Sequence, residues 1–150
     1  MTQPVEPGEE KLRRLFEQHI PFNRVLGLKV EALNPAAPSL RFDMKPELIG
    51  NPRRQILHGG VISAVLDVVA GLAIHLAVAG QNAGDPGEGA FPSIGTIDMR
   101  VDYLRPGRGK YFIATGRVVR LGSRVAVAQM EMVNDENELI ATGGAAYMVG

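Results

Sequence analysis

The chain has 150 residues, 16 Lys plus Arg against 16 Asp plus Glu, and no cysteine. That length suits one domain with a substantial core. Balanced charge gives no reason to expect nucleic acid or a membrane surface as partner, and the missing cysteines exclude disulfides, thiol catalysis and zinc–cysteine sites, so a reducing, cytoplasmic setting is the compatible expectation.

Residues 1–8 are polar and acidic and read as a disordered tail, unlike a secretory leader. Glu9–Ile20 then spaces Leu12, Leu15, Phe16, His19 and Ile20 at helical intervals, with acids at its start and Pro21 at its end. Pro21–Leu26 reads as a linker or lid. Gly27–Leu33 and Ser39–Met44 alternate apolar and polar residues and predict two antiparallel strands, with loop from Pro46 to Gln55. Val61–Gly80 is apolar almost throughout. Its length fits a membrane crossing, but Asp67, Gly71 and His75 and the lack of flanking aromatics favour a buried core helix.

Gln81–Pro92 is a turn-rich connection. Ser93–Leu104 alternates Ile97, Met99, Val101 and Tyr103 against Thr96, Asp98, Arg100 and Asp102. Lys110–Leu121 and Arg124–Val133 are separated by Gly122-Ser123, a tight-turn pair, and Leu139–Val149 ends the pattern. One helix, two strands, a long helix and four strands make an α+β protein with an antiparallel sheet. A helix apolar nearly all round needs a strongly curved sheet, or a second subunit, to cover it.

The chemistry concentrates in Asn51–Gly80. Asp67 interrupts the apolar run, and a carboxylate there needs a partner or a function. A helix starting near Gly60 offers unpaired N–H groups and a positive dipole end. Gly59 and Gly60 let a substrate carbonyl approach the backbone, or simply make the turn into the helix. Asp67 and Gly60 share a helix face but stand about 10 Å apart along the axis. One carbonyl cannot touch both within a single helix, so a site using both is completed by two subunits. The plainer reading of Asp67 is a buried acid satisfied by a partner.

The runs LHGGVISAVLD, TIDMRVDYLRP and RVVRLGSRVAVA resemble the hotdog-fold acyl-CoA thioesterases, most closely the phenylacetic-acid-degradation (PaaI-like) type, over roughly residues 27–149. The resemblance implies a hotdog domain at 27–150, in which a curved antiparallel sheet wraps one long helix, preceded by a tail and short helix at 1–26. It further implies a homodimer, or a dimer of dimers, with active sites at the interface, acting without cofactor or metal on CoA esters of small aromatic or medium-chain acids.

By the same resemblance Gly59 polarises the thioester carbonyl and Asp67 is nucleophile or general base. His58 mainly positions the loop, with acid–base chemistry as its alternative, and His75 is packing. Thr96 matches a strand hydroxyl that holds water, although alternation puts it on the polar face. The family's amide six residues before the histidine is Pro52 here, which leaves Asn51, then Gln55, as candidates beside a plain turn role. Gln55, Gly60, Ser63, Arg105 and Arg108 are assigned to substrate binding. Arg53, Arg54, Lys110, Arg120 and Arg124 join the two arginines as a phosphate cradle or as ordinary surface charge. The rival readings are a hotdog acyl-thioester dehydratase or hydratase and a non-catalytic acyl-CoA-binding protein.

Overall fold

The computed structural model describes residues 7–81 and 93–150, so the expectations for 1–6 and 82–92 lie outside the described residues. The long helix α3 runs Gly59–Gln81. Strands β1 (Lys29–Ala32), β2 (Ser39–Asp43), β5 (Ile94–Tyr103), β6 (Tyr111–Leu121), β7 (Val125–Asn134) and β8 (Leu139–Val149) form one antiparallel sheet in the order β1-β2-β6-β7-β8-β5. This is the expected hotdog architecture. The alternation is cleanest on β7, where Ala126, Ala128, Met130 and Met132 are buried between exposed Val125, Val127, Gln129 and Glu131.

α3 is long and apolar enough to cross a membrane, but the sheet is its apolar surrounding. Val65, Leu66, Val69, Ala70, Leu72, Ala73 and Ile74 are fully buried within the fold. The helix lies so close to β6 that a Cβ on Gly116 would stand 2.8 Å from the Val69 carbonyl oxygen. Truncating Leu66 or Leu72 to alanine would cost about 2–5 kcal/mol at such sites. α3 is a core helix.

Three local expectations are corrected. The first helix is split: α1 covers Pro7–Arg14, Leu15–His19 widens into a π turn, and Pro21–Leu26 is a second helix, α2, instead of a linker. Proline suits the first helical position because its missing N–H would be unpaired there anyway, and Gly27 ends α2 at φ 72°. Leu12, Phe16 and Leu26 are buried in the main core. Arg13 Nη1 donates to the Val30 carbonyl at 2.7 Å, and Glu17 accepts the Val30 N–H at 3.1 Å, tying this segment to β1.

Second, the stretch expected to be loop contains a 3₁₀ turn at Pro46–Leu48 and a small hairpin, β3 (Ile49–Asn51) with β4 (Ile56–Leu57). The Asn51 side chain makes its turn by accepting the Arg53 and Arg54 N–H groups at 3.1 and 3.3 Å. Third, β5 carries a bulge between Thr96 and Asp98. One extra residue reverses the alternation, so Ile97 is 55% exposed, and Thr96 and Met99 stand opposite Tyr147 and Ala145 on the helix-facing side. Thr96 is therefore not on the polar outer face.

Candidate active site

Asp67 is half-buried near the middle of α3. Across from it, Thr96 Oγ1 donates to Asp67 Oδ1 at 2.8 Å, and the Tyr147 hydroxyl donates to the same oxygen at 2.5 Å. The phenol oxygen also lies 2.9 Å from the Asp67 carbonyl oxygen. Asp67 Oδ2 accepts no hydrogen bond among the described residues. Two hydroxyls thus fix one carboxylate oxygen, and no described donor holds the other. Tyr147 is only 2% exposed, and burial, then the adjacent carboxylate, holds its phenol well above the ordinary value of 10.0, against a smaller opposing effect of Thr96. It remains a donor.

Sequence reasoning missed Tyr147, because the alternation of β8 makes it one more inward apolar residue. The signal was there: a phenol on a buried strand face needs a hydrogen-bond partner, and Asp67 was the unpartnered acid.

At the start of α3, His58 Nδ1 accepts the Gly60 N–H at 2.8 Å, so the imidazole caps the helix and carries no proton on that nitrogen. A Cβ on Gly60 would come within 2.9 Å of that same Nδ1, which explains the glycine. The Tyr103 hydroxyl donates to the Gly59 carbonyl at 3.0 Å. The Gly59 N–H meets no acceptor among the described residues, as expected for a first-turn amide. Ser63 Oγ donates to the Gly60 carbonyl at 3.1 Å. Gly59 and Asp67, eight residues apart on one helix, stand about 12 Å apart along its axis. The chain does not bring them together.

Asn51 spends its side-chain oxygen on its own turn, and Gln55, at φ 53°, donates Nε2 back to the Pro52 carbonyl at 2.7 Å. The loop after β5 packs beside this hairpin, with the Leu57 N–H donating to the Gly107 carbonyl at 3.0 Å. The turn carrying Arg53 and Arg54 and the loop carrying Arg105 and Arg108 are thus neighbours in the backbone, and all four arginines are exposed, with Arg105 Nη1 donating to the Leu139 carbonyl at 2.9 Å. Within one chain the basic residues do not form a single cradle. Arg120 lies nine residues along β6 from Tyr111, about 30 Å away by strand rise, and Arg124 is beyond the next turn.

A pocket of about 220 Å³ opens beside the carboxylate, lined by Asp67, Thr96 and Tyr147 and continuing to Gly71, His75 and Phe16. The thioesterase superfamily model matches residues 54–141, spanning the helix start, Asp67, Thr96 and the first residues of β8. The chain belongs to the thioesterase superfamily. This thioesterase-family chain is 45% identical over 139 residues, 91% of its length and 90% of the relative's, to the medium/long-chain acyl-CoA thioesterase YigI of Salmonella typhimurium. It is 27% identical over 124 residues, 81% of its own length and 80% of the relative's, to acyl-coenzyme A thioesterase 13 of Mus musculus. A crystal structure from Shewanella oneidensis, described as related to the thioesterase superfamily, superposes with TM-score 0.80 at 43% identity, covering 97% of this chain and 100% of that one.

Proposed function

We propose that this protein hydrolyses medium- to long-chain acyl-CoA thioesters to a fatty acid and CoA, in an aqueous cytoplasmic setting. The observation that carries the reading is the Asp67 carboxylate, held through Oδ1 by Thr96 and Tyr147 beside a pocket, with Oδ2 accepting no hydrogen bond from the described residues. The YigI relative's name supports medium- to long-chain acyl groups over the small aromatic groups that the PaaI-like resemblance suggests.

In this reading Oδ2 drives attack on the thioester carbonyl carbon, directly or through a water whose proton it takes. A C–O bond forms, the C–S bond breaks, and the CoA sulfur leaves as thiolate and is protonated. On the direct route a water then cleaves the acyl–Asp67 anhydride and restores the carboxylate. Single turnover in ¹⁸O-water marks the direct route by label in Asp67 when water opens the anhydride at the aspartyl carbonyl. Trapping the acyl–Asp67 species detects it when water attacks the acyl carbonyl, which labels the fatty acid as the general-base route does. The Gly59 N–H, helped by the dipole of α3, supports the oxygen that becomes negative. Because that N–H is about 12 Å from Asp67 along one helix, the site pairs Gly59 of one subunit with Asp67 of another, and a homodimer is the smallest complete enzyme.

Asn51, Gln55 and His58 serve this chemistry by shaping the turn that presents Gly59. Gly60 and Ser63 continue the first turn, and the arginines beside it take the CoA phosphates. The test is thiol release from a series of acyl-CoAs by the wild type and Asp67→Asn. Asparagine preserves size and removes the charge, and a loss of at least 10³-fold in kcat with the fold intact is expected from the loss of a nucleophile or base. Equal rates in the two proteins would overturn the assignment.

A further inference from the structure

We infer that the pocket beside Asp67 seats the start of the acyl chain and that Gly71 sets the length it admits, with the identity of the ligand resting on the thioesterase reading above. Gly71 lies one turn beyond Asp67, about 6 Å along the axis on the same helix face. On its apolar side the pocket is lined by Val68 on α3, Phe16 and Ile20 from the N-terminal segment, and Ile94 at the start of β5, while His75 lies one further turn along α3. Asn23, at the same pocket, already donates its amide to the Phe16 carbonyl at 3.0 Å.

The residue type is the telling point. Glycine inside a helix is about 1 kcal/mol less favourable than alanine. Elsewhere a glycine has a visible reason: on β6 a Cβ at Gly116 would meet the Val69 carbonyl, and past the end of α2 Gly27 takes a positive φ. Gly71 has neither reason, because a Cβ built there meets no atom of the described residues within 4 Å. The helix gives up stability to keep open a space that the described residues do not fill, in contact with the carboxylate that would do the chemistry. At about 30 Å³ per water-sized group, the pocket's 220 Å³ takes roughly seven such groups. An unbranched acyl chain of about that length fits that space.

The experiment uses S-butyl-, S-hexyl- and S-octyl-CoA, thioethers that lack the carbonyl and cannot be hydrolysed. Their binding is measured by calorimetry to the wild type, Gly71→Ala and Gly71→Leu. Burial of each methylene should tighten wild-type binding by about fourfold until the pocket is full. Gly71→Ala controls for helix stiffness and should keep most of that dependence. Gly71→Leu should bind butyl as wild type does and gain less than twofold from butyl to octyl. The same length dependence in all three proteins overturns the proposal. So does a Gly71→Leu protein whose subunits come apart, since the gap then belongs to a second copy of the chain. Acyl-CoA hydrolysis, followed separately, tests the catalytic reading: length-dependent binding without turnover would overturn the thioesterase mechanism and leave the pocket standing.

Discussion

The Tyr147 hydroxyl donates to Asp67 Oδ1 from the strand opposite, and the two residues stand 80 positions apart in the chain. The contact selects one carboxylate oxygen and immobilises it, with Thr96 as second donor. Tyr147→Phe keeps the ring in the core and removes only the donor. We predict a fall in kcat of about 10–100-fold with KM for the acyl-CoA little changed, because a reacting group set slightly wrong loses attack geometry before it loses binding. Stability should fall by about 1.5–3 kcal/mol, the usual worth of a hydrogen bond to a charged group. Steady-state kinetics and urea unfolding measure both, and an unchanged kcat would reduce Tyr147 to packing.

The same phenol predicts a pH dependence of the fold. Its folded pKa is raised, so the native protein keeps a proton that the unfolded chain releases near 10.0. Unfolding therefore releases a proton above that pH. The contribution is fully present below about pH 10 and is lost progressively as pH rises towards the higher folded value, at about 1.4 kcal/mol per pH unit. Thermal unfolding between pH 8 and 11.5 should show this decline in the wild type and a shallower one in Tyr147→Phe. Parallel curves would contradict it.

These two residues also mark how far the sequence could be read. Asp67 is visible because one acid in an apolar helix is conspicuous, and the sheet follows from alternation that the structure keeps on Phe112 to Gly116 and on Val125 to Met132. Simple alternation puts Thr96 on the wrong face because it has no way to count the extra residue of the bulge between Thr96 and Asp98. Tyr147 was hidden because an inward phenol looks like core until its partner across the sheet is known. α2 escaped because six residues opening with a proline carry too little periodicity to separate a helix from a linker. The β3–β4 hairpin is held by the Asn51 side chain more than by any strand pattern.

His58 makes a prediction that separates capping from acid–base chemistry. His58→Ala should cost about 1 kcal/mol through the lost acceptor for the Gly60 N–H, and slow catalysis by loosening the Gly59 amide. His58→Asn, which keeps a short acceptor at the helix start, should recover most of the stability and most of the rate. A histidine acting as acid or base would not be replaced by asparagine. Recovery of stability without any recovery of kcat would therefore assign His58 a chemical role.

The arginines can be tested by position. Arg53 and Arg54 sit in the turn that leads to the start of α3, whereas Arg120 and Arg124 flank the β6–β7 turn at the other end of the sheet. Each of the four is exposed, so any contact with a phosphate is partly screened and is worth about 1 kcal/mol at most. Replacing Arg53 and Arg54 together by alanine should raise KM for acyl-CoA about three- to thirtyfold, leave kcat near wild type, and flatten the dependence of KM on salt. The Arg120→Ala, Arg124→Ala pair should behave as wild type in the same assay, because strand length keeps it about 30 Å from the helix start. A rise in KM from the distant pair, or none from the near one, would move the CoA headgroup to the opposite end of the molecule.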